Sequence, residues 1–159
     1  MPPRRSRWVL LAFRLPREPS TPRITVWRKL KRIGAVQLLD GLVALPLDNR
    51  NREQLEWIAQ EIAEAGGDPT IWIGELATTE QERELVARMR DAVAGEYLRL
   101  IADAKAVRSQ PAGRRSRSLS RLRRELRRVR ERDYFPPPEQ ELARQAVDGL
   151  AEAVEEVTK

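Results

Sequence analysis

Eleven arginines lie between Ala106 and Arg132, against two acids. A guanidinium stays charged at every physiological pH and offers a rigid fork of donors that matches phosphate and carboxylate oxygens. The chemistry on offer is therefore anion binding or ion pairing. Arg117, Arg121, Arg124, Arg128 and Arg132 follow one another at steps of three or four, which stacks them on one face of a helix and disfavours that helix when bare by a few tenths of a kcal/mol per pair. DNA phosphates would relieve the repulsion through counterion release, with little sequence information. The alternative is a dimerisation or interaction module whose arginines pair internally, with Glu139, Glu141, Asp148 and Glu152 as partners.

The chain offers little for catalysis. It contains no cysteine and no histidine, which removes thiolate zinc sites, disulfides and the Ser-His-Asp and Cys-His nucleophile systems. Glu80, Glu82 and Glu84, like Glu152, Glu155 and Glu156, have the spacing of solvated helix faces rather than of metal ligands. Ala65-Gly66-Gly67-Asp68 reads as a helix C-terminus and not as a phosphate loop. No enzymatic activity, metal or cofactor is expected. Of the four tryptophans, Trp8, Trp27 and Trp72 read as core, and Trp57, off its helix's main stripe, is the one candidate contact residue, against the plainer reading of a single exposed apolar side chain.

The elements that must position these groups follow from periodicity. Trp8 to Phe13 is a short apolar run of the kind buried in a central strand. Ser20 or Thr21 caps a helix with Pro22 at its start, Ile24, Trp27, Leu30 and Ile33 as its apolar stripe, a basic remainder including Arg28, Lys31 and Arg32, and Gly34 as its stop. Val36 to Leu39 and Leu42 to Leu45 flank Asp40-Gly41, a type I′ hairpin signal. Asn49 or Asn51 caps a second helix with the stripe Leu55, Ile58, Ala59 and Ile62, and Thr70 to Glu75 makes a fourth strand. The order strand, helix, strand, strand, helix, strand is the ferredoxin-like βαββαβ arrangement, an α+β fold over residues 1–77.

Residues 78–159 read as a helical extension. A capping box at Thr79 and Glu82 opens a long helix with Val86, Met89, Val93, Tyr97, Leu100 and Ala104 in its stripe. A flexible basic linker over 110–117 precedes an arginine-rich helix with the seam Leu119, Leu122, Leu126 and Val129. After Pro136-Pro137-Pro138, a last helix carries Ala143, Val147, Leu150, Val154 and Val157. Two narrow seams of this kind pair as a helical hairpin or dock on the long helix.

Charge is laid out in blocks: a net of +9 over Met1 to Val36, −7 over Gln37 to Lys105, +9 over Ala106 to Arg132 and −5 over Asp133 to Lys159. A fold that joins the two basic blocks presents a surface for polyanions. No apolar run approaches the length of a membrane span, and the basic Met1 to Arg7 is followed by too short an apolar stretch for a signal peptide. A cytoplasmic protein is expected.

The topology resembles that of small CRISPR-associated nucleases, which place a metal-binding Asp at the end of the first strand. Arg14 and Leu15 stand there instead, against metal-dependent hydrolysis. The ordered set Trp8 to Leu11, Leu15-Pro16, Arg23, Val26-Trp27-Arg28, Gly34-Ala35, Asp40-Gly41, Leu45-Pro46, Trp72, Tyr97, Leu119, Arg121-Leu122 and Asp133-Tyr134-Phe135 resembles the N-terminal domain of the chromate-resistance regulator ChrB. The first 75 residues are also similar to the middle domain of the phenylacetate repressor PaaX, associated with dimerisation. The resemblance implies a chromate-responsive transcriptional regulator, a homodimer in contact with DNA. Full-length members carry a further C-terminal domain where this chain stops at Lys159, and no winged helix-turn-helix precedes the first strand. Chromate is a tetrahedral dianion that needs convergent donors, for which Arg14, Arg23 and Arg28 are the candidates. Arg28, Lys31, Arg32, Arg117, Arg121, Arg124 and Arg128 are the candidate nucleic-acid contacts.

Overall fold

Trp8 to Arg14 forms β1, a central strand of a four-stranded sheet in the computed structural model, which describes residues 6–158. Arg4 and Arg5 of the first basic block, and with them most of the Met1 to Arg7 start, lie outside the described residues. The described residues divide into two compact units, with the boundary in sequence between Val86 and Ala87.

The first unit runs β1, α1 (Thr21–Arg32), β2 (Val36–Leu39), β3 (Leu42–Pro46), α2 (Asn49–Glu64) and β4 (Asp68–Gly74), followed by the first turns of α3 (Thr79–Arg108). Strand order is β2-β3-β1-β4, and every neighbouring pair is antiparallel. Side chains alternate between the faces of a strand, so Val9 and Leu11 share a face with Leu45 and Val43 across from them. All four are fully buried, together with Leu55 and Ile62 of α2 and Leu30 of α1. Helix α2 lies on β1 and β4, and α1 lies on α2.

Several local expectations are corrected. Only Gly41 has positive φ (76°) in the β2–β3 turn, so the turn is not type I′, and the ladder shifts register between Gln37 and Leu39. Gly41 is required for a second reason: a Cβ there would stand 2.3 Å from the Phe13 carbonyl oxygen, while the Phe13 N–H donates to the Gly41 carbonyl at 2.7 Å. Helix α2 is capped by Asp48, whose carboxylate accepts from the Asn51 N–H at 2.6 Å. Asn51 itself is buried, and its side-chain amide donates to the Pro46 carbonyl. Asp48 has the extended backbone of a cap residue, and Asn49 already lies in the first turn of the helix. At α3 the cap is Thr78, whose hydroxyl accepts from the Gln81 N–H, and Glu82 instead accepts from the Ser6 N–H and the Trp8 indole.

The apolar stripe of α1 is rotated from the expected one. Val26 and Leu30 are buried, Ile24 is 50% exposed and Trp27 is half-buried against the Phe13 ring, with centroids 6.1 Å apart. Trp72, expected in the core, is 60% exposed. It sits on the edge strand β4 across from Leu10, on the sheet face opposite Val9 and Leu11. Trp8 shares that face but is buried, because Glu82 and Leu85 of α3 lie beside it.

The second unit comprises the rest of α3 with α4 (Ala112–Glu131) and α5 (Glu139–Thr158). The α4 seam is observed, and that of α5 in part: Leu119, Leu122, Leu126 and Val129 of α4 form one core with Ala143, Val147 and Leu150 of α5 and with Val93, Tyr97, Leu100, Ala104 and Val107 of α3, with Val154 partly buried against it, whereas Val157, expected on the same seam, is 57% exposed. The expected linker over 110–117 is mostly helix. Pro111 takes the position before α4, where it loses no helical hydrogen bond, and Gln110 accepts from Arg115 and Ser118.

Candidate nucleic-acid interface

Arginine is a good helix former, and the α4 seam supplies the apolar stripe that holds a highly charged helix in place. Leu119, Leu122, Leu126 and Val129 define its buried side. With 100° per residue, Arg117, Arg121, Arg124 and Arg128 fall together on the side away from that seam. All four are exposed, and 11 residues of rise spread them over about 16 Å.

Pairing decides what this row can do. Among the described residues Arg117, Arg124 and Arg128 make no ion pair, while Arg121 meets Glu125 of its own helix at 3.0 Å in an exposed pair, a kind that contributes little. Arg132, the last of the stacked series, differs: both its Nε and Nη2 donate to Glu96 of α3, and the pair is largely shielded from solvent. The acids expected as internal partners are engaged elsewhere or free of arginine. Glu141 and Asp148 both bind Arg144 of their own helix, and the Arg144 hydrogen bond holds the Glu141 carboxyl below its ordinary range. Neither Glu139 nor Glu152 has an ion pair among the described residues.

Where α4 leads into α5, a polar cluster sits at the edge of the helical core. The Tyr97 hydroxyl donates to Asp133 Oδ2 at 2.7 Å, and the Gln140 amide donates to both Asp133 Oδ2 and Tyr97 Oη. Burial, and then the neighbouring Asp133 carboxylate, push the Tyr97 phenol well above its ordinary value. Asp133 Oδ1 is buried without a hydrogen-bond partner. The Asp-Tyr-Phe motif was visible in sequence, but nothing in it announced a partner 36 residues earlier.

The α1 candidates belong to the other unit and stand by themselves. Arg23, Arg28 and Lys31 are exposed and, with Ser20, Ile24 and Trp27, line an open groove of about 410 Å³. Arg14, at the end of β1 across from Asp68, and Arg32 do not line it. The structure thus brings Arg23 and Arg28 to one groove without Arg14, and puts the apolar surface of Ile24 and Trp27 between them. A small, strongly hydrated dianion finds a poor match there. Trp57 is 66% exposed on α2. Among the described residues no group of three or more Asp or Glu side chains is placed to hold a metal ion, and no helix is long and apolar enough to cross a membrane.

A four-stranded antiparallel sheet unit, a three-helix unit and an outward row of arginines define an α+β protein built to present positive charge on helices. The family described as "Protein ChrB, N-terminal" matches residues 23–111, more than half of the chain, and the chain belongs to that family. It is 29% identical over 133 residues, 81% of its length, to Protein ChrB of Cupriavidus metallidurans, and spans 40% of that protein. No solved structure matches it.

Proposed function

We propose that the protein is a non-enzymatic, DNA-associated regulator in chromate resistance that binds duplex phosphates through α4. In this reading the first unit is a ferredoxin-like domain, supported by its β2-β3-β1-β4 antiparallel order, and α4 with α5 is a helical hairpin, supported by their shared seam. The chromate role comes with the family. The DNA role rests on one observation: Arg117, Arg124 and Arg128 point away from the core with no carboxylate paired to them among the described residues.

Four guanidinium groups over about 16 Å suit a phosphate chain, and release of condensed counterions drives the association. Contacts of this kind position a protein without reading bases. Fluorescence anisotropy with a duplex from upstream of the gene, at several salt concentrations, tests the reading. Four phosphate contacts give a log-log slope of roughly −3.6. The Arg117→Gln, Arg124→Gln, Arg128→Gln triple variant is expected to flatten it by roughly 2.7. No binding near 50 mM salt, or a slope unchanged in the triple variant, rejects the α4 contact.

A further inference from the structure

The groove on α1 is built round one indole. Trp27 lines it together with Arg23, Ile24, Arg28 and Lys31, and the Phe13 ring, its centroid 6.1 Å from that of Trp27, braces the indole from β1. Arg23, Trp27 and Lys31 follow one another at steps of four residues. They therefore run along one side of the helix as cation, flat ring, cation, with about 6 Å of rise at each step. None of Arg23, Arg28 and Lys31 has an ion pair among the described residues, whereas Lys29 on another side of the helix is held by Glu61 of α2.

Phosphate alone does not account for this arrangement. A bare oxyanion gains nothing from an indole or from Ile24, which is 50% exposed. A nucleotide in a single strand repeats the pattern of the groove, because its planar base lies between two phosphates, and a base stacks on an aromatic ring whatever its sequence. A duplex keeps its base faces inside the stack of pairs and reaches only the cations. An acidic protein segment matches the charge, but an anchoring aliphatic side chain needs an enclosed pocket, and this groove is open.

We infer that the α1 groove binds single-stranded nucleic acid. An unpaired base stacks on Trp27, the phosphates on either side of it meet Arg23 and Lys31, and Arg28 lies beside the base. The contact goes beyond the α4 reading and does not depend on it: α4 takes the phosphates of a duplex, and α1 takes a strand whose bases are free. Single strands of DNA and of RNA share this chemistry, and both serve as probes.

Fluorescence anisotropy with labelled oligo(dT) and oligo(rU) of about 12 nucleotides tests it. The protein is the full chain carrying Arg117→Gln, Arg124→Gln and Arg128→Gln, which removes competition from α4. Adding Trp27→Leu is expected to weaken binding roughly 5- to 150-fold, the loss of one stacked base, and to leave the salt dependence unchanged. Adding Arg23→Gln with Lys31→Gln instead is expected to reduce the log-log salt slope by about 1.4, and these two surface changes test the contact even where Trp27→Leu fails to fold by circular dichroism. An abasic strand of the same length is expected to bind equally with and without Trp27→Leu. Oligonucleotide binding indifferent to a folded Trp27→Leu, a slope unchanged by the Arg23 and Lys31 substitutions, or an abasic strand that binds as well as oligo(dT) overturns the inference. So does displacement by poly-L-glutamate, at equal charge, as readily as by oligo(dT), which assigns the groove to acidic protein. With the α4 arginines intact, duplex DNA is expected to bind equally with and without Trp27→Leu, so its salt slope reports separately on the α4 reading.

Discussion

Tyr97 shows how one hydroxyl ties a helical unit together. Its ring is fully buried, and its oxygen links α3 to Asp133 and Gln140 at the approach to α5. Replacing it with Phe leaves Asp133 with one donor fewer and is expected to cost about 1–2 kcal/mol, read as a lower urea midpoint. The folded phenol titrates above the unfolded one, near 10. Its contribution is therefore complete below about pH 10 and is lost as pH climbs through the folded value. The urea midpoint is expected to fall more steeply between about pH 9.5 and 11.5 in the unmodified chain than in Tyr97→Phe. Gly41 is a second residue on which structure depends: an alanine must accept φ near 76° and a collision with the Phe13 carbonyl. Gly41→Ala is expected to destabilise by about 2–4 kcal/mol, checked by thermal and urea unfolding. The glycine was legible in Asp40-Gly41, but its need was not, because the clash comes from a strand 28 residues away in the sequence.

Among the elements, legibility followed periodicity. The α4 seam and the α2 stripe repeat at helical spacing over several turns and are buried as that spacing requires, and the α5 seam is buried as far as Leu150, with Val157 exposed near the helix end. Leu122→Ala is expected to cost about 2–5 kcal/mol, because it opens a cavity where three helices converge. A surface change such as Arg124→Gln on the same helix is expected to stay within about 0.5 kcal/mol, and comparing the two urea midpoints checks both. Short-range signals were less legible. Asp48 lies one residue before Asn49 and three before Asn51, the two predicted caps of α2, and Thr78 one before the predicted Thr79; neighbouring polar residues satisfy the same rule until backbone geometry chooses. Asp48→Ala is expected to cost about 1 kcal/mol through loss of the cap, again seen in the urea midpoint. The face of α1 was misread because Ile24 and Trp27 match the apolar spacing as well as Val26 and Leu30 do. Composition alone gives no rotation about the helix axis. Trp72 was misread for a related reason: an apolar run does not say whether its strand is central or at the edge.

For the whole molecule, the distribution of charge was plain in the chain, and its satisfaction was not. Counting acids near α4 left internal neutralisation open as the alternative to phosphate binding. The structure instead gives Glu141 and Asp148 to Arg144, and Glu96 to Arg132, the one arginine of the stacked row turned toward the helical core. Pairing depends on which face each residue occupies and on competition at spacings of three and four, neither of which a net charge records. The row that remains is a handhold without an address. On the proposed reading, guanidinium forks lined up along one ridge would grip any phosphodiester strand, whatever letters it spells, and occupancy would follow ionic strength and the abundance of nucleic acid. Choosing one promoter among many would then fall to some other feature than α4, and non-cognate duplex is expected to compete nearly as well as the cognate one in a binding assay.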